Sequence, residues 1–289
     1  MGARSYQLLT KMTNLPPMAV AGLNVYPIKA CGGIVLQQAN VGRMGFLHDR
    51  QWMFVDERGM FVAQRDSRGL GVAVKTTCLI KPAIANQHLT VTAPDMPPLQ
   101  IPVGGIAGHE VPVRIWDTRV TAIDQGDEAT QWATRFLSRE RPGRYRLVRM
   151  PDDHHRAAPI GDAELAFGDA YPFLIISEES LGDLNSRLKS PLPMNRFRPN
   201  IVLRGGSPYE EDVLDRFRIG SVEFVGTTLC VRCLTTTTNQ DTAERGKEPL
   251  RTLATYRKQL SGVVFGRNFN HAGRGTVRVG DQLSVISDQ

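Results

Sequence analysis

The sequence predicts a mainly β chain with a few short helices, an α+β arrangement, and three observations carry that prediction. Short runs rich in Val, Ile, Phe and Thr recur through the first half between turns that contain Gly or Pro, the spacing of a barrel or sandwich. Helical periodicity then begins near Asp127, and the second half mixes strand-like runs with further short helical patterns.

Taken in order, residues 1–17 read as a polar tail ending at Pro16-Pro17. Val20 to Lys29 is strand-like, with Pro27 limiting its pairing near the end. Ala30-Cys31-Gly32-Gly33 reads as a turn whose glycines are free to take positive φ. Ile34 to Val41 is a second strand, and Gln51 to Val55 a third that Asp56 to Gly59 folds back onto Met60 to Ala63 as a hairpin. Leu79 to Lys81, Leu89 to Thr92, Leu99 to Val103, Val111 to Trp116 and Val120 to Ile123 continue this meander. From Asp127 as N-cap, Ala129, Trp132, Ala133, Phe136 and Leu137 fall on one helical face, and Arg139 to Gly143 ends the helix. That punctuation marks a candidate boundary between domains at 18–140 and 141–289.

Beyond it, Tyr145 to Met150 is strand-like, and residues 151–161 read as an exposed loop in which His154-His155 follows Asp152-Asp153. Phe173 to Ile176 is an apolar strand; Ser177 caps the next helix, with Glu178 and Glu179 in the first turn where the helix dipole favours acids. Leu181, Leu184 and Leu188 give that helix its apolar face and Pro191 stops it. Ile201 to Leu203, Phe217 to Ile219 and Val222 to Val225 restore β structure. Arg251 to Leu260 predicts another helix, and two last strands flank Gly280-Asp281.

The composition, 41% hydrophobic and 22% charged over 289 residues, is that of a folded globular chain and excludes disorder and fibres. A formal net charge of +6 calls for an anionic partner: nucleic acid, a membrane surface or a small anion. The arginines are scattered singly rather than clustered with aromatics and no nucleic-acid module is present, so a small anion is favoured and no nucleic-acid binding is expected. No apolar run reaches the roughly 18 residues of a membrane helix and no signal peptide opens the chain, so the expectation is a cytoplasmic protein without membrane association. Four cysteines, Cys31, Cys78, Cys230 and Cys233, are too few and too unevenly placed for a disulfide scaffold, and neither a second Cys-x-x-Cys nor a spaced His pair completes a zinc site.

The stretch Cys230-Val231-Arg232-Cys233, followed by four threonines, comes straight after the strand-like Val222 to Leu229. A thiol at the end of a strand beside Arg232 is placed to become a thiolate that binds a soft metal or attacks sulfur. A polar strand edge carrying a half-buried cysteine pair accounts for the same residues, and their chemistry leaves both readings open.

A set of motifs in fixed order decides between them: Tyr26 to Gly33, His48 to Trp52, Pro172 to Leu181, Asn195 to Val202, Cys230 to Thr237, Glu248 to Arg257 and Val264 to Asn268. Together they resemble the MOSC-domain proteins, in the branch of the amidoxime-reducing components and their bacterial relatives. The resemblance implies an amino-terminal β-barrel packed on a carboxy-terminal MOSC β-barrel, with a molybdenum cofactor, Mo-molybdopterin, in the cleft between them. It implies that Cys233, not Cys230, is the thiolate on molybdenum, soft ligand matching soft centre, with Arg232 beside it. Lys29, Arg50 and Arg198 resemble the cations around the pterin and its phosphate, which a guanidinium can grip with two parallel hydrogen bonds. Asn200 and Asn268 match further contacts, and Asp169, Ala170 and Tyr171 match a stretch lying against the cofactor. The sequence departs from the pattern at Ala30, Ala170 and Tyr171, where hydroxylated residues are common, and at Asn239-Gln240, where Asp-Pro is usual.

The implied activity is reduction of N-hydroxylated compounds (amidoximes, hydroxylamines, N-hydroxylated bases) by oxygen-atom removal at the metal, chemistry that belongs to the cofactor. Asn239 stands where an acid is expected, leaving Asp241 as the nearby candidate proton donor. No cysteine follows Cys233, so the iron–sulfur spacing found in some relatives is missing and the electrons are expected from a separate protein: a ferredoxin, a flavodoxin or a flavin reductase. Two alternatives share the motif, a sulfur carrier with a persulfide on Cys233 and a non-enzymatic molybdopterin carrier. Were Cys230 and Cys233 to share a face, they would form a redox couple or ligate one metal together.

Overall fold

Residues 17–65, 69–154 and 156–286 are described by the structure, a computed structural model; most of the tail and His155 lie outside them. Among the described residues the chain is mainly β, with α-helices at Gly126–Leu137, Glu178–Ser186 and Leu250–Leu253. The largest sheet runs from Ile34–Leu36 through Ala19–Val25, Ile201–Arg204, Phe173–Ser177, Gly262–Ala272, Val222–Val231 and Arg216–Ile219 to Leu283–Val285. Its neighbours are antiparallel except for Phe173–Ser177 beside Ile201–Arg204. That parallel pair is joined by the helix Glu178–Ser186, because a parallel connection needs a crossover long enough to return the chain. Ser177 caps this helix as its sequence predicts, its side chain accepting from the Ser180 amide.

The strand Ala19–Val25 therefore belongs to the sheet of the second half. Its inward residues Val20 and Leu23 share a core with Phe173, Phe217, Phe224 and Phe269. The Phe173 ring meets Phe46 and Phe224 edge-on at centroid distances of 4.9 and 5.1 Å, the arrangement the ring quadrupoles prefer. A second sheet orders Glu110–Ile115, Thr118–Asp124, Tyr145–Arg149 and Trp52–Asp56, so the strand after the helix Gly126–Leu137 returns to the first-half strands. That helix buries Ala129, Trp132, Ala133, Phe136 and Leu137, the face its periodicity predicts, in a core with Trp52, Leu89 and Leu99.

Local sequence reading misplaces several elements: the loop read over residues 151–161 contains the strand Arg156–Ala157, and the strand read over Ile34 to Val41 is split into Ile34–Leu36 and Gln38–Gly42 in different sheets. Arg251 to Leu260 is not one helix: helical turns stop at Leu253, and Lys258–Gln259 forms a strand with Gly262 and Val263. Thr252, Thr255 and the glycine turn favour the hairpin, and main-chain pairing overrides the apolar spacing. Lys75–Leu79 is a 3₁₀ turn closed by the Thr77 hydroxyl donating to the Val74 carbonyl at 2.8 Å, so the predicted strand begins only at Lys81. Val62–Ala63 pairs in parallel with Val72–Ala73, and the hairpin to Trp52–Asp56 is reduced to a bridge between Val55 and Phe61. Asp127 is in the first helical turn rather than at the cap; Asp124 Oδ1 instead accepts from the Gly126 amide at 2.8 Å.

Gly266 shows what the long strand Gly262–Ala272 requires. Its φ is +74°, and a Cβ there would lie 2.8 Å from the Ile175 carbonyl oxygen and 2.5 Å from Ile176 Cγ1. Both the left-handed backbone and the close approach exclude a side chain. Gly266→Ala is expected to destabilise the chain by about 2–4 kcal/mol, the sum of the backbone term and the clash. Urea unfolding of the two proteins measures this, and a change below about 1 kcal/mol would show that the strand relaxes around the methyl group.

Candidate functional site

The site is assembled where the ends of both sheets meet. Lys29 is fixed to the strand Trp52–Asp56 by its amide donating to the Trp52 carbonyl at 2.8 Å, and Arg50 is held by its amide on the Tyr26 carbonyl at 2.9 Å. Asn200 precedes Ile201–Arg204, and its amide bonds the Leu174 carbonyl at 2.8 Å. Cys230 is near the end of Val222–Val231, and Asn268 is within Gly262–Ala272. These segments enclose a cavity of about 380 Å³ whose lining includes Lys29, Arg50, Asp169, Ala170, Tyr171, Arg198, Asn200, Arg232, Cys233 and Asn268. Residues far apart in sequence thus converge on one space.

Two of its cations, Arg50 and Arg198, and the neighbouring Ala30 stand on strained backbone. Ala30, Arg50 and Arg198 have φ of 67°, 50° and 59°, the left-handed region that costs a non-glycine residue roughly 1–2 kcal/mol. The Arg50 and Arg198 guanidiniums both pack on the Tyr26 ring, their carbons 4.6 and 4.2 Å from its centroid. Arg50 pairs with Asp49 and donates to Asn200 Oδ1 at 3.0 Å. Arg198 donates to the Cys31 carbonyl and has no carboxylate partner among the described residues. Burial pushes the Tyr26 phenol up to about 12 against the opposing pull of the two guanidiniums, so it is the neutral platform on which they rest.

Lys29 is buried, its Nζ donating to the Phe167 carbonyl at 3.1 Å and pairing with Asp169. Burial lowers its pKa although Asp169 pulls the other way. For Asp169 the balance is reversed: desolvation opposes ionisation, but Lys29, Arg50 and Arg65 outweigh it and hold the carboxyl down to about 2.

The thiols are arranged differently from the sequence reading. The strand ends at Val231, so Cys233 stands outside it as the residue before the 3₁₀ turn Leu234–Thr237. Both cysteines reach the cavity because the chain turns there, not through strand alternation. The threonine run is no strand edge: the Thr236 hydroxyl donates to the Cys233 carbonyl at 2.9 Å and Thr237 to Leu234 at 2.8 Å, closing the turn that presents Cys233. Arg232 Nη1 donates to Cys230 Sγ at 2.9 Å and Nη2 to the Phe197 carbonyl at 2.7 Å, so its hydrogen bonds serve Cys230 rather than Cys233. Burial raises the Cys230 pKa and Arg232 opposes it. Cys31 and Cys78 are buried free thiols that desolvation pushes up, Cys78 to about 11.

Family models match this chain twice, as the MOSC N-terminal beta barrel domain over residues 18–140 and as the MOSC domain over residues 162–284. It is 34% identical over 282 residues to mitochondrial amidoxime-reducing component 1 of Danio rerio, covering 93% of this chain and 85% of that protein. The chain belongs to the MOSC-domain family. Further members similar to it are the human mitochondrial amidoxime-reducing component 1, 35% identical over 288 residues with 92% and 82% of the two chains covered. The human mitochondrial amidoxime reducing component 2 is 34% identical over 286 residues, with 91% and 82% covered.

Several lining residues of this MOSC protein escape sequence reading. Trp116, at φ +54°, donates from Nε1 to Asp169 at 3.3 Å, and Arg65 lies 5.1 Å over its ring. Gln64 Nε2 donates to the Ala30 carbonyl at 2.7 Å and to the Gln240 amide oxygen at 3.0 Å. No local pattern marks them, because their roles depend on distant segments. Asp241 is absent from the cavity lining; it is exposed and meets Lys81 at 3.3 Å, while Asn239 Oδ1 caps its amide.

Lys29→Met removes the cation paired with Asp169. The same substitution should move the Asp169 carboxyl up from about 2 toward the ordinary carboxylate range, with Arg50 and Arg65 still holding part of the depression. In sign, a depressed carboxyl stabilises the fold above its unfolded pKa and loses that contribution as pH falls from about 4 to about 2, so the variant should show less of this acid-limb loss and be the less stable near neutrality for want of it. Carboxyl-detected NMR and thermal scans across that pH range check both, and an Asp169 carboxyl unmoved in the variant would refute the assignment.

Proposed function

We propose that this protein is a molybdenum-dependent oxidoreductase that removes oxygen from N-hydroxylated compounds, with Cys233 as the metal's protein ligand. The observation that carries the reading is the convergence of a thiol and an uncompensated guanidinium, that of Arg198, on one cavity. Among the described residues no group of three or more His, Cys, Asp or Glu side chains is placed to hold a bare metal ion. A metal here has to arrive with ligands of its own, which fits a metal carried by an anionic, sulfur-bearing pterin. The Nε of Arg232, buried and without a partner, fits it as well.

Cys233 Sγ would bind the metal, while Arg198, Arg50 and Lys29 neutralise the phosphate and Asn200 and Asn268 supply amide contacts beside Asp169, Ala170 and Tyr171. When bound, the cofactor supplies two-electron reduction of the N–OH group. Asp169, held to about 2, stays ionised near neutrality and is no proton donor. The names of the amidoxime-reducing relatives support the substrate class. A separate ferredoxin, flavodoxin or flavin reductase completes the reaction as electron donor.

The test is molybdenum analysis together with reduction of benzamidoxime by a chemical reductant. Cys233→Ser is expected to abolish metal-dependent turnover, because a serine oxygen is hard and rarely deprotonated, whereas Cys230→Ser should retain most of it. Equal loss of metal and activity in both variants would overturn Cys233 as sole ligand. Metal retention without turnover in the wild type would instead mark a carrier, and cyanide-labile sulfur on Cys233 a sulfur-transfer protein.

A further inference from the structure

Large exposed apolar side chains are gathered around Cys233. Val231 is 46% exposed, Leu234 49% and Leu260 fully exposed. Val231 and Leu234 flank Cys233 in sequence, and the hairpin bearing Leu260 lies against them. The Arg232 amide donates to the Val263 carbonyl at 2.7 Å, Val231 pairs with Val264, and Lys258 pairs with Val263. The next segment joins the same surface, because the Gly246 amide donates to the Thr237 carbonyl at 3.0 Å and Arg245 bridges to Thr238.

This apolar surface has a basic margin. Lys247 and Lys258 are exposed and make no ion pair among the described residues, and Arg245 bonds only to the neutral Thr238 hydroxyl and Gln64 carbonyl. Of the nearby acids, Asp241 is paired with Lys81 and Glu248 with Arg251, leaving Glu244. An apolar centre with a charged rim is the anatomy of a transient protein interface, and its sign selects an acidic partner.

We infer that Val231, Leu234 and Leu260, rimmed by Arg245, Lys247 and Lys258, dock a small electron-carrier protein with an acidic face. The inference rests on the proposed reductase reading, which requires electrons from outside, and it places their entry where the surface lies nearest the metal ligand. Two encounters with a one-electron carrier deliver two electrons; with two protons from solvent the N–O bond breaks, giving the N–H compound and water and leaving two oxidised carriers.

The experiment compares two reductants of the metal-loaded protein, reduced methyl viologen, which needs no docking, and reduced flavodoxin, an acidic carrier. Lys258→Glu with Leu260→Glu is expected to leave viologen-driven turnover unchanged and to raise the KM for flavodoxin about tenfold. Raising the salt from about 0.02 to 0.3 M should raise the wild-type KM severalfold and the variant's much less. Val285→Glu, on the edge strand Leu283–Val285, should change neither. No viologen-driven turnover in the wild type defeats the reductase reading itself. An unaltered flavodoxin KM in the double variant, with viologen turnover intact, defeats the docking surface alone. Carbodiimide cross-linking of the wild-type pair decides the matter without any variant: cross-links at Lys247 or Lys258 support the surface, and cross-links confined to other lysines overturn it.

Discussion

The Arg50 and Arg198 guanidiniums stack on the single buried ring of Tyr26, and much of the site follows from the need to keep two like charges there. Asp49 compensates one of them: its carboxylate pairs with Arg50 and accepts from the Tyr26 amide at 2.8 Å. Arg198 is left with a backbone carbonyl and the face of the ring. Both arginines stand on left-handed backbone, so the fold forgoes roughly 1–2 kcal/mol at each to aim them. Charge held in this way without compensation is stabilised when an anion arrives, and the free protein is the less stable for it.

The topology makes that arrangement possible. Ala19–Val25 pairs with Ile201–Arg204, which places Tyr26 and Lys29 beside Pro199 and Asn200; the Tyr26 hydroxyl donates to the Pro199 carbonyl at 3.1 Å. The parallel pairing of Phe173–Ser177 with Ile201–Arg204 sets the chain before Phe173 against the same place, and Arg156 fastens that chain by donating to the Ala166 and Gly168 carbonyls at 2.9 Å. Asp169 thereby meets Lys29 across a sequence gap that no local pattern reports. Arg156, buried with its Nε unpartnered, is a second charge confined near the cavity.

Sequence alone is informative where one element settles its own structure. The helix Gly126–Leu137 follows from the periodicity of Trp132, Ala133, Phe136 and Leu137, and the Ser177 cap from one side chain and one amide. It misleads where distant pairing decides. Lys258 follows a helical pattern in sequence but pairs with Val263, and within the threonine run, which reads as a strand edge, the Thr236 and Thr237 hydroxyls close a turn. The site was legible through ordered motifs rather than chemistry, for Lys29 or Asn200 taken singly is an ordinary residue. Trp116 and Gln64 were illegible because nothing near them in sequence records the cavity they face.

The two cysteines show how three-dimensional placement divides a motif into unequal parts. Cys230, still within the strand, receives the Arg232 hydrogen bond on its sulfur, and burial holds it toward the neutral thiol despite that charge. A sulfur that already accepts a charged donor and is kept protonated has little to offer a metal. Cys233 follows the last strand residue and is presented by a turn that the Thr236 hydroxyl and amide both bind through its carbonyl, at 2.9 and 3.1 Å. Its backbone is thus fixed while its sulfur receives no hydrogen bond from Arg232. The arginine between the cysteines, which in sequence reads as favouring a thiolate beside it, in the fold gives its hydrogen bond to the first sulfur and none to the second.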